Sequence, residues 1–542
     1  MRVRRRSTLV LAGLAALVAL PAGVLLAPSG VADTAPPART IPATVSADPL
    51  PAPQIDGVVW AQAVAGNTVY AAGRFTTARP AGAAPGTKTT PRTNLLAFDI
   101  RTGKLSAWAP VLNGQATAVA VSPDKKRVYV AGSFTKVNGV RRYRVAAFDT
   151  ATGALVKTFA PVLDATVNAL AVSSSAVYVG GDFTTVSGVA RSRLAAFLTT
   201  NGALTRWAPA ADAGVMSMVI APGGANVVVG GHFATLAGLA APGLGAVDAR
   251  TGAGRAFAAN QVIKDSGKDA GITSLTTDGK LVYGTGYSWL GAGNFEGTFA
   301  ANPSTGAIVW LEDCKGDTYS AAAVGPVIYT VGHAHYCGNI GGFPETNPRT
   351  WQRALAFTTA ATGTVAKNTQ GSCCDFGGHP APRMLVWWPS LRAGTFTGQG
   401  QGAWSVVATS SYVVLGGEFT HVNGKAQQGL VRFAVRSLAP NKQGPVVKGA
   451  ALGLTATPGA AGEVALTWNK TWDRDNELLT YVVTRDGTTP VSTQTARTVF
   501  WRPGTLSATQ TGVPAGSHTY RLTVKDALGN TAASDTVTVT VP

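Results

Sequence analysis

Charge is scarce in this sequence. Asp, Glu, Lys and Arg make up 13% of the 542 residues, about half the usual share of ~25%. The chain is still not disordered, because apolar residues reach 46% and disorder needs the opposite balance. Beyond the N-terminus no apolar run approaches the ~18–20 residues of a helical membrane span, which excludes a polytopic protein. Cysteine is limited to Cys314, Cys337, Cys373 and Cys374. There is no Gly-x-Ser-x-Gly, Walker loop or zinc-ligand spacing, so acyl transfer, nucleotide hydrolysis and zinc catalysis have no support. Asp473-Arg-Asp-Asn-Glu477 lacks the Gly and spacing of an EF-hand and reads as a polar loop between strands.

The N-terminus carries Arg2, Arg4, Arg5 and Arg6, then an apolar stretch from Leu9 to Ala27 broken by Pro21, then Gly30-Val-Ala32. A basic head, an apolar middle and a small-x-small exit predict a secretory signal over residues 1–32, with Sec and twin-Arg export both open. Removing it takes four of the 45 basic residues, and 41 against 27 acids leaves +14. Outside the cell this charge favours an acidic wall polymer or glycan over nucleic acid. The Cys of an exported chain are expected to form disulfides. The remaining ~510 residues are enough for two or three domains.

Glycine is abundant, at 64 residues, and much of it repeats. Val177-Tyr-Val-Gly-Gly-Asp-Phe-Thr-Thr-Val-Ser-Gly188 recurs at 128–139, 227–238 and 413–424, with a shorter copy from Val69 to Thr76. Two degenerate copies begin at Leu281 and Val327, giving seven. Each contains short β-branched or alternating runs broken by Gly-rich turns, which are strands. Seven four-stranded units with a period near 50 predict an all-β fold: a seven-bladed β-propeller over 40–437. The phrase Ala160-Pro-Val-Leu-Asp164 joins one unit to the next and recurs at Ala52-Pro-Gln-Ile-Asp56, ahead of the first unit. Residues 41–50 are therefore expected to supply a closing outer strand beside Leu430–Val435. Residues 79–91 and 366–401 read as insertions. Trp108, Phe159, Trp207, Phe257 and Trp310 are expected to pack between units.

Cys314 precedes the first strand of the sixth unit and Cys337 follows its second. Those points lie at the same end of an antiparallel pair, so a Cys314–Cys337 bridge is the natural pairing. Cys373 and Cys374 are then either a vicinal bridge or free.

Repetition stops near Val435, a linker follows at 438–448, and 449–542 reads as a β-sandwich. With Trp468, Asp486-Gly487, Pro514-Ala-Gly516 and Asp526-Ala-Leu-Gly-Asn530, the stretch from about 445 resembles a fibronectin type III domain, although His518 stands where that family has its corner Tyr. The resemblance implies a spacer or surface-contact unit. The repeat region resembles secreted bacterial β-propeller proteins with a Gly-Gly-x-Phe-Thr-x-Val-x-Gly repeat, which implies the fold and no particular activity.

Three constellations could carry chemistry. The residue between Gly and Phe of each repeat projects one side chain per unit at one height: Arg74, Ser133, Asp182, His232 and Glu418, with Tyr287 and His333 approximately aligned. His333 and His335 alternate on a strand near Glu312, Asp313 and Asp317, but without a recognisable ligand pattern, so no metal is expected. Cys373-Cys374 and the Ala-x-Asp-x-x-Thr-Gly segment before Trp108 resemble features of quinoprotein dehydrogenases, whose blade number and Ca²⁺ constellation this chain lacks.

The leading expectation is a secreted, monomeric, non-catalytic protein without a cofactor. It would bind a polysaccharide or anionic cell-surface polymer through Arg74, Asp182, His232, His333 and Glu418, with Trp387 and Trp388 stacking on sugar rings. The alternatives are a polysaccharide hydrolase or lyase using Asp182 and Glu418, and, third, a quinoprotein-like dehydrogenase.

Overall fold

A computed structural model describes residues 41–369, 374–460 and 462–542. The expected signal segment 1–32 and Cys373 lie outside the described residues. The chain is all-β, made of many small antiparallel sheets, and among the described residues helix is confined to short 3-10 turns such as Ala258–Gln261.

Seven sheets share one plan, and their first strands are Val58–Ala65, Ala116–Val121, Val167–Val172, Val215–Ile220, Ala270–Thr277, Thr318–Val324 and Ala403–Ala408. Each first strand pairs antiparallel with a second, which pairs with a third, as Val167–Val172, Ala176–Gly181 and Leu194–Leu198 do. First strands of consecutive sheets pack side by side, and that of the seventh packs beside that of the first. The apolar core is divided accordingly into clusters lying between neighbouring sheets. One of them joins Val414 and Leu430 of the seventh sheet to Val59 and Val69 of the first.

The repeat motif has a physical cause at each position. Phe134, Phe183, Phe233 and Phe419 are fully buried in these clusters. A Cβ on Gly181 would lie 2.2 Å from the carbonyl oxygen of Thr166, so the second strand can approach the first only with Gly there. A Cβ on Gly416 would meet the Val59 side chain at 2.7 Å, so this Gly lets the seventh sheet close against the first. Asp164 accepts from the amides of Thr184 (2.9 Å) and Thr185 (3.1 Å) and from the Thr184 hydroxyl. Burial alone would raise its pKa, but these donors hold it down to about 2. Asp56 and Asp212 cap their hairpins in the same way.

The fourth position varies. Ile308–Glu312 and Pro380–Met384 are full fourth strands, whereas Phe148 and Phe197 make only single bridges to Leu155 and Leu204. In the seventh sheet Leu50 bridges Arg432, and the Ser46 amide donates to the Ala434 carbonyl at 2.9 Å. Trp108, Trp207 and Trp310 donate their indole N–H to Gly153, Asp248 and Thr359 of the following sheet at 2.9, 3.0 and 2.7 Å. The stretch 366–401 is not a single insertion. Pro380–Met384 completes the sixth sheet, and Leu391–Arg392 pairs with His421–Val422. Trp387-Trp-Pro-Ser-Leu391 is thus this unit's version of the Trp-x-Pro-x-Leu phrase at Trp108–Leu112.

Residues Thr455–Val541 form two further sheets over a common core of Leu466, Trp468, Tyr481, Tyr520, Leu522 and Val539. This module is firmly attached. Asp475 accepts from the Ser46 hydroxyl at 3.0 Å and the Ala47 amide at 2.6 Å, while Arg436 donates to Asn476 at 3.0 Å. Asp473 and Asp475 are buried, so the acidic stretch 473–477 is the joint with the seven-sheet region rather than a freely solvated loop. Trp472, Phe500 and Trp501 pack with Trp388 and Phe343 in one aromatic cluster. No helix among the described residues is long and apolar enough to cross a membrane.

Candidate functional site

Every first strand carries a β-bulge near its start. The pairing register slips at Trp60, Thr117, Asn168, Met216, Thr273, Tyr319 and Trp404. A bulge leaves one residue unpaired and turns its side chain out of the sheet. Because the first strands follow one another in a circuit, the seven bulge residues converge. They line two adjoining cavities of about 610 and 340 Å³ that share Trp60, Met216, Thr273, Tyr319 and Trp404. These volumes fall in the range of about 300–1,000 Å³ typical of small-molecule sites.

One wall of this central space is aromatic. Trp60 and Trp404 meet edge to face at 5.1 Å, and Tyr319 lies against Trp404 with ring centroids 4.2 Å apart. The opposite side is polar: Asp182, held by Asn168 Nδ2 at 3.1 Å, and His232, whose Nδ1 lies 2.9 Å from the Gly267 carbonyl. Lys268, Asp269 and Asp317 border the larger part. Three carboxylates against one ammonium make the cavity acid-rich, so the positive charge of the chain is not concentrated here.

The positions between Gly and Phe are divided by the fold. Asp182, His232, Tyr287 and His333 all reach the central cavity. His333 is held by Tyr319 Oη and Gln401 Oε1, each 3.1 Å from Nδ1. Burial lowers its pKa against the opposing pull of Asp317. Arg74 and Ser133 line a separate groove of about 640 Å³. Glu418 is buried and accepts from the Thr397 amide (2.8 Å), the Thr397 hydroxyl (2.6 Å) and Trp404 Nε1 (3.2 Å). It therefore positions the 393–401 loop and Trp404 instead of facing a ligand, and it shares no described cavity with Asp182.

Trp387 and Trp388 do not stack on a ligand. Both are buried, Trp387 against Tyr329 and Phe433 and Trp388 against the C-terminal module, because the Trp-x-Pro phrase places them between sheets. Trp60, Tyr319 and Trp404 are the aromatic residues sequence reasoning missed. Their signal was a variable position flanked by small or β-branched residues in otherwise matching first strands, as in Val59-Trp-Ala61 and Ala403-Trp-Ser405.

The Cys314–Cys337 bridge is present. Cys374 is also disulfide-bonded, and it packs on the cluster of Phe295, Val365 and Phe376 away from the central cavity. His333 and His335 take different partners, since His335 Nδ1 lies 2.6 Å from Glu345. Among the described residues no group of three or more His, Cys, Asp or Glu is arranged to hold a metal ion. Beneath this region Glu296, Glu312 and Asp313 are desolvated, which raises their pKa values to about 6, 8 and 7. Neither a family model nor a curated protein matches this chain.

Proposed function

We propose that this is a secreted, non-catalytic binding protein: a seven-bladed β-propeller followed by a fibronectin type III-like sandwich, holding a glycan in its central cavity. The propeller reading is supported by the circuit of first strands and by the core clusters between successive sheets, including the one joining seventh to first. The two-sheet module at 455–541 supports the sandwich, and the disulfides suit an oxidising compartment.

The observation that carries the binding function is the aromatic wall of Trp60, Trp404 and Tyr319 facing Asp182 and His232. A pyranose presents an apolar face of C–H groups and a rim of hydroxyls. Rings on one side and fixed polar groups on the other match both. The acid-rich lining favours a neutral or amine-bearing sugar at this point over a polyanion. The hydrolase pair expected from the sequence, Asp182 with Glu418, is not assembled, because Glu418 is already committed to Thr397 and Trp404.

Calorimetric titration of neutral and N-acetylated oligosaccharides tests the reading. Trp60→Ala and Trp404→Ala should each weaken binding roughly 10- to 100-fold, the range of a buried aromatic anchor. Wild-type affinity in both variants would overturn it. Release of reducing ends that disappears in Asp182→Asn would overturn its non-catalytic part.

A further inference from the structure

The groove at Arg74 is joined to the central cavity in two ways. Trp60, on the cavity wall, donates from Nε1 to Gln115 Oε1 at 3.1 Å, and Gln115 lines the groove. The 393–401 loop is shared as well. Gln399 and Gln401 face the cavity while Phe396 reaches the groove, and Glu418 pins the loop between them through Thr397. The groove lies on the first sheet directly beside the cavity, since Arg74 pairs in register with Val58, two residues before the Trp60 bulge.

The two compartments differ in charge. Arg74 is exposed, with its guanidinium carbon 5.4 Å from the centre of the half-exposed Phe396 ring. It forms no ion pair among the described residues. Asp56 lines the same groove, but its carboxylate is taken up by the Thr76 hydroxyl and by the amides of Thr76 (2.8 Å) and Thr77 (3.0 Å). A guanidinium presented on an aromatic face with its hydrogen-bonding edge open is suited to bidentate capture of a carboxylate.

Resting on the glycan reading of the central cavity, we infer that the ligand is a chain rather than a single sugar. It runs from the Trp60–Trp404 wall over Gln115 into the groove, where Arg74 and Phe396 receive a sugar bearing a carboxylate. The acid-rich cavity takes neutral units and Arg74, the one cation among the described residues of the groove, takes the acidic one, so the placement of charge on the surface fixes the position of the charged unit along the chain.

The test is calorimetric titration of the full chain with a neutral dimer, a neutral hexamer, and hexamers carrying a single carboxylate at the reducing or the non-reducing end. The hexamer should bind at least tenfold more tightly than the dimer. One acidic hexamer should gain a further tenfold, and Arg74→Gln should erase that last gain while leaving the dimer affinity unchanged. Phe396→Ala should reduce the hexamer advantage without affecting the dimer. Equal affinities for dimer and hexamer, or a carboxylate gain that survives Arg74→Gln, would overturn the extended site while leaving the cavity reading intact. Absence of binding by every oligosaccharide would overturn both.

Discussion

The second, third and fourth sheets and the fifth and sixth share a bulged first strand and an antiparallel core, yet they fill the space around it differently. The former carry the buried repeat Phe, a short side hairpin such as Thr185–Val186 with Val189–Ala190, and a capping Asp or Asn before it. The latter have lost the Phe, with Ser288 and Ala334 in its place, and their hairpins are replaced by longer excursions. In and around these two sheets lie the Cys314–Cys337 bridge, the half-buried Glu296, the buried Glu312 and Asp313, the His333 network and part of the docking surface for the C-terminal module. Regular repeats thus supply scaffold and at most one cavity-facing polar side chain each, such as Asp182 and His232, and further polar groups collect where the repeat decays. The reason is steric: a motif packed against both neighbours leaves one polar side chain free, whereas a longer loop can carry several.

This contrast can be broken experimentally. The largest effect is expected in a regular sheet. Phe183→Ala should cost about 3–5 kcal/mol, the range for emptying a fully buried aromatic site, measured by denaturant unfolding. A loss below about 1 kcal/mol would mean that the repeat Phe is not what holds neighbouring sheets together.

In the irregular region Cys314→Ser with Cys337→Ser should cost about 2–4 kcal/mol. Hydrogen exchange should show the loosening confined to the fifth and sixth sheets, and uniform loosening would argue against separate supports.

The pH dependence should come from the same region. Carboxyls raised to about 6, 8 and 7 in the folded chain have unfolded values near 4. The native state therefore holds extra protons between those limits. Stability is greatest at and below about pH 4–5 as far as these groups are concerned, and it falls as pH rises toward 8, by at most about 1.4 kcal/mol per pH unit per proton. Glu312→Gln should flatten that slope and raise the melting temperature at pH 8. An unchanged slope would place the linkage elsewhere.

The smallest effect belongs to the hairpin caps. Asp164→Ala should cost about 1 kcal/mol, as loss of a side-chain cap on backbone amides does, with Asp164→Asn costing less. The Asp164 pKa is lowered, so its contribution is present above about pH 4 and lost as pH falls toward 2.

Sequence spacing located the strands, the Gly-x-Phe core and the Cys314–Cys337 bridge, because each depends on local period or on strand ends. It also set Asp182, His232 and His333 at one repeat position, and all three line the central cavity. It misplaced Trp387 and Trp388, since an aromatic pair in a long irregular stretch looks exposed until the Trp-x-Pro-x-Leu phrase is aligned with its equivalents. It did not separate Arg74 and Glu418 from the rest, because one repeat position can face three environments depending on the loop beside it. It also missed the bulge residues, which occupy the least repetitive column of the first strands.

The amino-acid sequence alone determined the all-β architecture and the repeating core, since alternation, turn glycines and buried phenylalanines act over a few residues. Only the tertiary structure decided which polar and aromatic side chains share a cavity. That depends on seven bulges turning toward one centre, on a loop anchored by Glu418, and on a C-terminal module seated on Trp388. Each joins residues far apart in the chain, through contacts that no local pattern encodes.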